Sequence, residues 1–79
     1  MVEDKVIRII KECFPAVPEN INLSSRLVED LGMDEIDKMD VIFALEDEFD
    51  IEIIDEDFEK WLTIQDIVNH IESSYMGKD

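Results

Sequence analysis

LGMDEIDKMDVIFALEDEF, residues Leu31 to Phe49, decides the fold. Asp34 is a good helix N-cap. Asp37 stands three residues on at the capping-box position, with a shorter carboxylate than the usual Glu. A helix is therefore expected from about Glu35 to Phe49. At 100° per residue, Val41, Ile42, Leu45 and Phe49 fall on one side and make a core stripe. Ile36, Met39 and Phe43 gather in a second direction, roughly 140° away around the helix. Asp40 and Asp47 border this weaker stripe on one side, and Glu35 and Glu46 on the other. A small apolar strip fenced by carboxylates suits a partner with an apolar groove and a Lys/Arg rim.

The flanking sequence continues as helix. Val2, Val6, Ile9, Ile10 and Cys13 follow helical spacing on one face, and Pro15 and Pro18 end that helix. Residues 15–33 form a long connection, unusual in a small domain, so Ile21, Leu23, Leu27 and Leu31 are expected to pin it to the core. Beyond Phe49, Ile51, Ile53 and Ile54 are extended or in turns, and Asp55 to Lys60 makes a short helical turn. Thr63 caps a last helix, with Asp66 in the capping-box position. Ile64, Ile67, Val68, Ile71 and Tyr75 form its apolar face, and Gly77 is its natural stop. The expected core is Val6, Ile9, Ile10, Val41, Ile42, Leu45, Phe49, Ile64, Ile67, Val68 and Ile71.

Composition sets the bounds. The 79 residues form one domain, residues 1–79, near the lower size limit for unaided folding. The net charge of -15 disfavours nucleic acid and anionic membranes and favours basic-surfaced partners. The charge is concentrated: Asp34 to Glu59 holds 13 acids against one base, Lys38. No apolar run approaches the roughly 18 residues of a membrane span. No cationic, apolar leader pattern is present, and a cytoplasmic monomer is the expectation. Asn22-Leu23-Ser24 reads as a chance glycosylation match. The single Cys13 allows no internal disulfide or Cys-based zinc site and is read as a buried or half-buried small hydrophobe. The acid groups Glu46-Asp47-Glu48 and Asp55-Glu56-Asp57 lack the calcium-loop pattern, so loose counter-ion binding is expected and no metal site. His70 has no ligating neighbour in sequence and is read as a helix-surface side chain. No catalytic set or phosphate loop is visible, and the chain is not expected to be an enzyme.

The run Leu27 to Ile53, LVEDLGMDEIDKMDVIFALEDEFDIEI, closely resembles the central segment of acyl carrier proteins, and the likeness extends over almost the whole chain. It implies an all-α fold: a small acyl-carrier-type bundle of three longer helices and one short helix, with a long first loop. The family's run reads Leu-Gly-x-Asp-Ser-Leu-Asp, and its Ser hydroxyl carries 4'-phosphopantetheine through a phosphodiester. Glu35 stands at that cofactor-attachment position. A carboxylate cannot accept the arm, so no cofactor is expected on this chain; 4'-phosphopantetheine would be expected if position 35 were Ser. Ser24, Ser25, Ser73 and Ser74 lie outside the matching context. Three readings of Glu35 stand open. It is a good first-turn anion, favoured by roughly 0.3–1 kcal/mol, in a lineage that lost its Ser. It imitates the charge of the modified state. Or it is a deliberate replacement that keeps the protein unmodified.

The resemblance implies that the corresponding helix docks partner enzymes, through Asp34, Ile36, Asp37, Met39, Asp40, Phe43, Glu46 and Asp47. It further implies that the core opens to admit an acyl chain carried on the arm. Two functions follow as expectations. One is an acyl-carrier-type protein of fatty-acid or related acyl metabolism, not loadable at Glu35, with acyl-transfer or synthase enzymes of basic surface as partners. The other is a natural interaction module that binds enzymes or regulators without a covalent cofactor.

Overall fold

The computed structural model describes residues 2–15, 17, 18 and 20–76. They form four helices: α1 (Val2–Cys13), α2 (Glu35–Phe49), α3 (Asp55–Phe58) and α4 (Ile64–Met76). No strand occurs among the described residues; an isolated antiparallel bridge joins Arg26 to Thr63. The all-α expectation holds, with three longer helices and one short one. The expected stop at Gly77 lies outside the described residues, as does the side chain of Tyr75.

Periodicity carries directly into packing. All eleven expected core side chains are buried. Val6 and Ile10 of α1, Leu45 of α2, and Ile64 and Ile71 of α4 are fully enclosed. α1 packs against both α2 and α4, so it is the element around which the other two long helices assemble. Removing Leu45 down to its Cβ would cost about 2–5 kcal/mol. That is a large share of the roughly 5–15 kcal/mol that holds a domain folded.

α2 starts and stops by local chemistry. The Asp34 carboxylate accepts the Asp37 N–H at 2.8 Å, and the Asp37 carboxylate accepts the Asp34 N–H at 3.1 Å. This is a full capping box, built with two aspartates. The helix ends at Asp50, whose left-handed backbone (φ 53°) returns its N–H to the Glu46 carbonyl. On the far side of α2, Lys5 and Arg8 of α1 approach Glu48 at 3.9 and 3.8 Å. These exposed pairs add little to stability.

The long connection is built from turns and fastened to the start of α4. The Leu23 and Ser25 carbonyls accept the Gln65 and Ile64 N–H groups at 2.9 and 3.1 Å. Leu27 donates its N–H to the Leu62 carbonyl at 2.9 Å. First-turn amides of α4, which lack partners within the helix, are thus satisfied by the loop. Thr63 and Asp66 complete the end as the expected capping box, at 3.0 and 3.3 Å. Leu27 and Leu31 are buried, and Ile21 and Leu23 pack partly against the core, so these apolar side chains do pin the loop.

Three buried residues lie outside the expected core and outside the loop pins: Met33, Ile53 and Trp61. His70 corrects the surface expectation. It is half-buried, its ring meets Trp61 edge-on at 5.4 Å, and its Nε2 is enclosed without a hydrogen-bond partner. The Trp61 side chain arrives from the segment before α4 and covers the flank of the helix on which His70 lies. Cys13 is half-buried, as read. Burial pushes its thiol up, and the charges of Asp40 and Glu12 add to the effect, so it is a weak nucleophile at neutral pH.

Candidate functional site

The surface of α2 divides its charged residues into two kinds. Some carboxylates are committed to structure. Asp34 and Asp37 hold the capping box. Glu46 is half-buried, and its carboxylate accepts the Ile53 N–H at 2.8 Å, which draws the strand-like segment after α2 back against the helix. Others face solvent: Glu35, Asp40 and Asp47 are exposed and make no ion pair among the described residues.

The apolar strip divides in a similar way. Ile36 is 72% exposed and Phe43 is 58% exposed. Leaving an aromatic ring and a branched aliphatic chain in water forgoes about 1.5–3 kcal/mol of burial each. Met39, between them on the helix, is half-buried and packs against the core. The structure therefore presents Ile36 and Phe43 with Glu35, Asp40 and Asp47 on open surface, and turns Met39 and Glu46 partly inward. Lys38, the one base on this helix, is half-buried on the opposite flank.

Glu35 is the first residue of α2 and is exposed. The remaining first-turn backbone N–H groups and the helix dipole favour an anion at this position. No hydroxyl side chain occurs in α2 or its cap. Ser25 is tied into the loop: its Oγ accepts the Asn22 N–H at 2.9 Å, and its carbonyl serves α4. Ser73 and Ser74 lie in the last turns of α4.

Behind the start of α2 lies a narrow apolar crevice. Leu27 and Met33 of the loop, Lys38, Val41 and Ile42 of α2, Phe58 of α3, Trp61, and Ile67 of α4 line it. Its free volume is ≈ 10 Å³, about the room one water needs. Sequence reasoning did not find this crevice. Its lining is drawn from the loop and three helices, and no single periodic segment signals it. Among the described residues no group of three or more His, Cys, Asp or Glu side chains could hold a metal ion. No helix of the described chain is long and apolar enough to cross a membrane.

Comparison with known proteins agrees with this architecture. The family described as "Phosphopantetheine attachment site" matches residues 4–71. The acyl carrier protein of Campylobacter concisus (strain 13826) is 39% identical over 77 residues, which covers 98% of this chain and 97% of that protein. The acyl carrier protein of Campylobacter fetus subsp. fetus (strain 82-40) is 37% identical over 71 residues, 90% of this chain and 92% of that protein. That of Campylobacter lari is 39% identical over 70 residues. A phosphopantetheine-family match over most of the chain, carried on the four-helix architecture and joined by relatives of almost the same length, has one consequence: the chain belongs to the acyl carrier protein family, whose members are carriers and not catalysts.

Proposed function

We propose that this chain is an acyl-carrier-type protein of fatty-acid or related acyl metabolism that docks basic-surfaced acyl-transfer or synthase enzymes through α2, in a form that cannot be loaded at position 35. The observation that carries the docking reading is the exposure of Ile36 and Phe43 among Glu35, Asp40 and Asp47. An isolated exposed apolar side chain needs no explanation. Two on one helix, ringed by unpaired carboxylates, make a small apolar contact with an electrostatic guide around it.

The family's usual cofactor is phosphopantetheine, and the residues at the start of α2 do not fit its attachment. The arm joins through an alcohol oxygen, and the side chain offered there is the carboxylate of Glu35. This observation also favours a second reading, in which the chain is an interaction module that binds enzymes or regulators with no covalent group at all. Both readings share the docking helix.

Loading separates position from scaffold. Incubated with a broad-specificity phosphopantetheinyl transferase and coenzyme A, the chain should gain no mass. Glu35→Ser should gain one phosphopantetheine, because Asp34, Ile36 and Asp37 already surround the site. Intact-mass spectrometry reads both. A mass gain on the unaltered chain would place the acceptor elsewhere and remove the reading of Glu35.

A further inference from the structure

Lys38 interrupts an acidic surface. It is the one base between Asp34 and Glu59, a stretch that holds 13 acids. It lies where the flank of α2 meets α3, beside Phe58, and the first turn of α3 brings Asp55, Glu56 and Asp57. It is half-buried and makes no ion pair among the described residues, although Glu35 stands one turn before it. A half-buried lysine lays its aliphatic stem along apolar surface and keeps its ammonium at the edge. The charge is therefore held in place, since swinging it aside lifts the stem off that surface. At about 100° per residue, Glu35 lies about 60° from Lys38 and about 100° from Ile36 around α2. A partner that covers Glu35 and Ile36 at the start of the helix thus comes up against the Lys38 ammonium as well.

We propose that Lys38 is a specificity-determining charge: it turns away docking faces that carry bases alone, and it selects a basic-rimmed enzyme that sets one carboxylate beside the start of α2. The inference rests on docking through α2. Exposed Glu35, Asp40 and Asp47 attract Lys/Arg rims in general. A rim base placed opposite Lys38 meets a like charge, and such a juxtaposition suppresses the wrong partner. A carboxylate placed there pairs with the ammonium, while the bases around it pair with the fence. The pattern of charge a matching partner must show is therefore basic with one acidic point, positioned between the contacts to Glu35 and to the first turn of α3.

The probe is a broad-specificity phosphopantetheinyl transferase, which must cover position 35 to act there. Its association with the full chain is followed by surface plasmon resonance at two salt concentrations. Lys38→Glu should raise the association rate about fivefold at low salt and Lys38→Met about twofold, with both gains shrinking at high salt. Lys38→Met keeps an apolar stem, which guards against a packing defect in the Glu variant. Lys38→Arg should keep the parent's rate. Lys11→Glu makes the same change of charge on exposed surface of α1 and should change the rate less than about twofold. Rim bases of the transferase are then changed to Glu one at a time. One of them should speed the parent and slow Lys38→Glu, the signature of a facing pair. Unchanged or slower association of both Lys38→Glu and Lys38→Met, a gain in Lys11→Glu as large as in Lys38→Glu, or no rim position coupled to Lys38 would each overturn the proposal. Asp40→Lys with Asp47→Lys separates the two claims. If that double variant slows while the Lys38 variants match the parent, docking through α2 stands and the role of Lys38 falls; if neither moves, docking through α2 falls with it.

Discussion

The Glu46 carboxylate accepts the backbone N–H of Ile53 at 2.8 Å, seven residues further along the chain. This bond fastens the segment after α2 to the helix it has just left. It brings Ile53 into the core, where only 7% of it stays exposed. Glu46→Ala leaves that amide without its charged acceptor. The expected cost is about 1 kcal/mol, below the full value for a buried charged bond because the site is half-open. That lowers the thermal midpoint by about 4–8 °C in a domain of this size. Glu46→Gln keeps an acceptor oxygen and should lose less. A calorimetric scan of the three proteins orders them; equal midpoints would make the contact incidental.

Acid pH should expose the Arg26–Asp30 pair. Asp30 accepts from the Arg26 side chain at 3.2 and 3.3 Å and from its backbone N–H at 2.8 Å. The side-chain bond, reinforced by the backbone one, holds the Asp30 carboxyl below its ordinary value. A carboxyl depressed on folding stabilises the fold above its unfolded-state value, and that contribution disappears as pH falls through the depressed one. At neutral pH the parent should be more stable than Asp30→Asn. The gap should stay constant toward mildly alkaline pH and close below the ordinary carboxylate range. Urea titrations across pH measure it; a gap that persists in strong acid would assign the effect to something other than ionised Asp30.

Self-repulsion should be visible as a salt effect. The described residues span 35 × 24 × 19 Å. At 0.01 M salt the screening length is about 30 Å, so most charges sense one another; at 1 M it is about 3 Å. With a net charge of -15, NaCl should raise the thermal midpoint by about 5 °C or more over this range, the equivalent of roughly 1 kcal/mol. A flat or falling midpoint would mean that the exposed carboxylates are already balanced.

How much of this was legible in the sequence follows from where each residue sits. Inside α1, α2 and α4 the 3.6-residue repeat states which way a side chain points, and all eleven core residues read from it are buried. The Asp34 and Thr63 caps mark their helices for a local reason, since the bonds they make span three residues. Trp61, Met33 and Ile53 belong to irregular segments, where spacing carries no facial information. They enter the core because loop carbonyls clamp α4 and Glu46 holds Ile53. His70 went astray for a related reason, as a helix wheel cannot show Trp61 arriving from another element. Ile36, Met39 and Phe43 were visible as a second stripe; how far each stays open is set by neighbouring elements that a helix wheel does not show.

Docking through α2 is the central claim, and charge reversal on its exposed fence tests it most directly. Asp40 and Asp47 are both exposed, so Asp40→Lys with Asp47→Lys should leave the fold intact. Binding to a carrier-protein synthase or transferase is followed by surface plasmon resonance at two salt concentrations, with Glu72→Lys on α4, also exposed, as the control. The double reversal should lower the association rate about tenfold or more at low salt, lose most of that difference at high salt, and spare the control. Binding of the double variant at the parent's rate, or an equal loss in Glu72→Lys, would contradict α2 as the docking face.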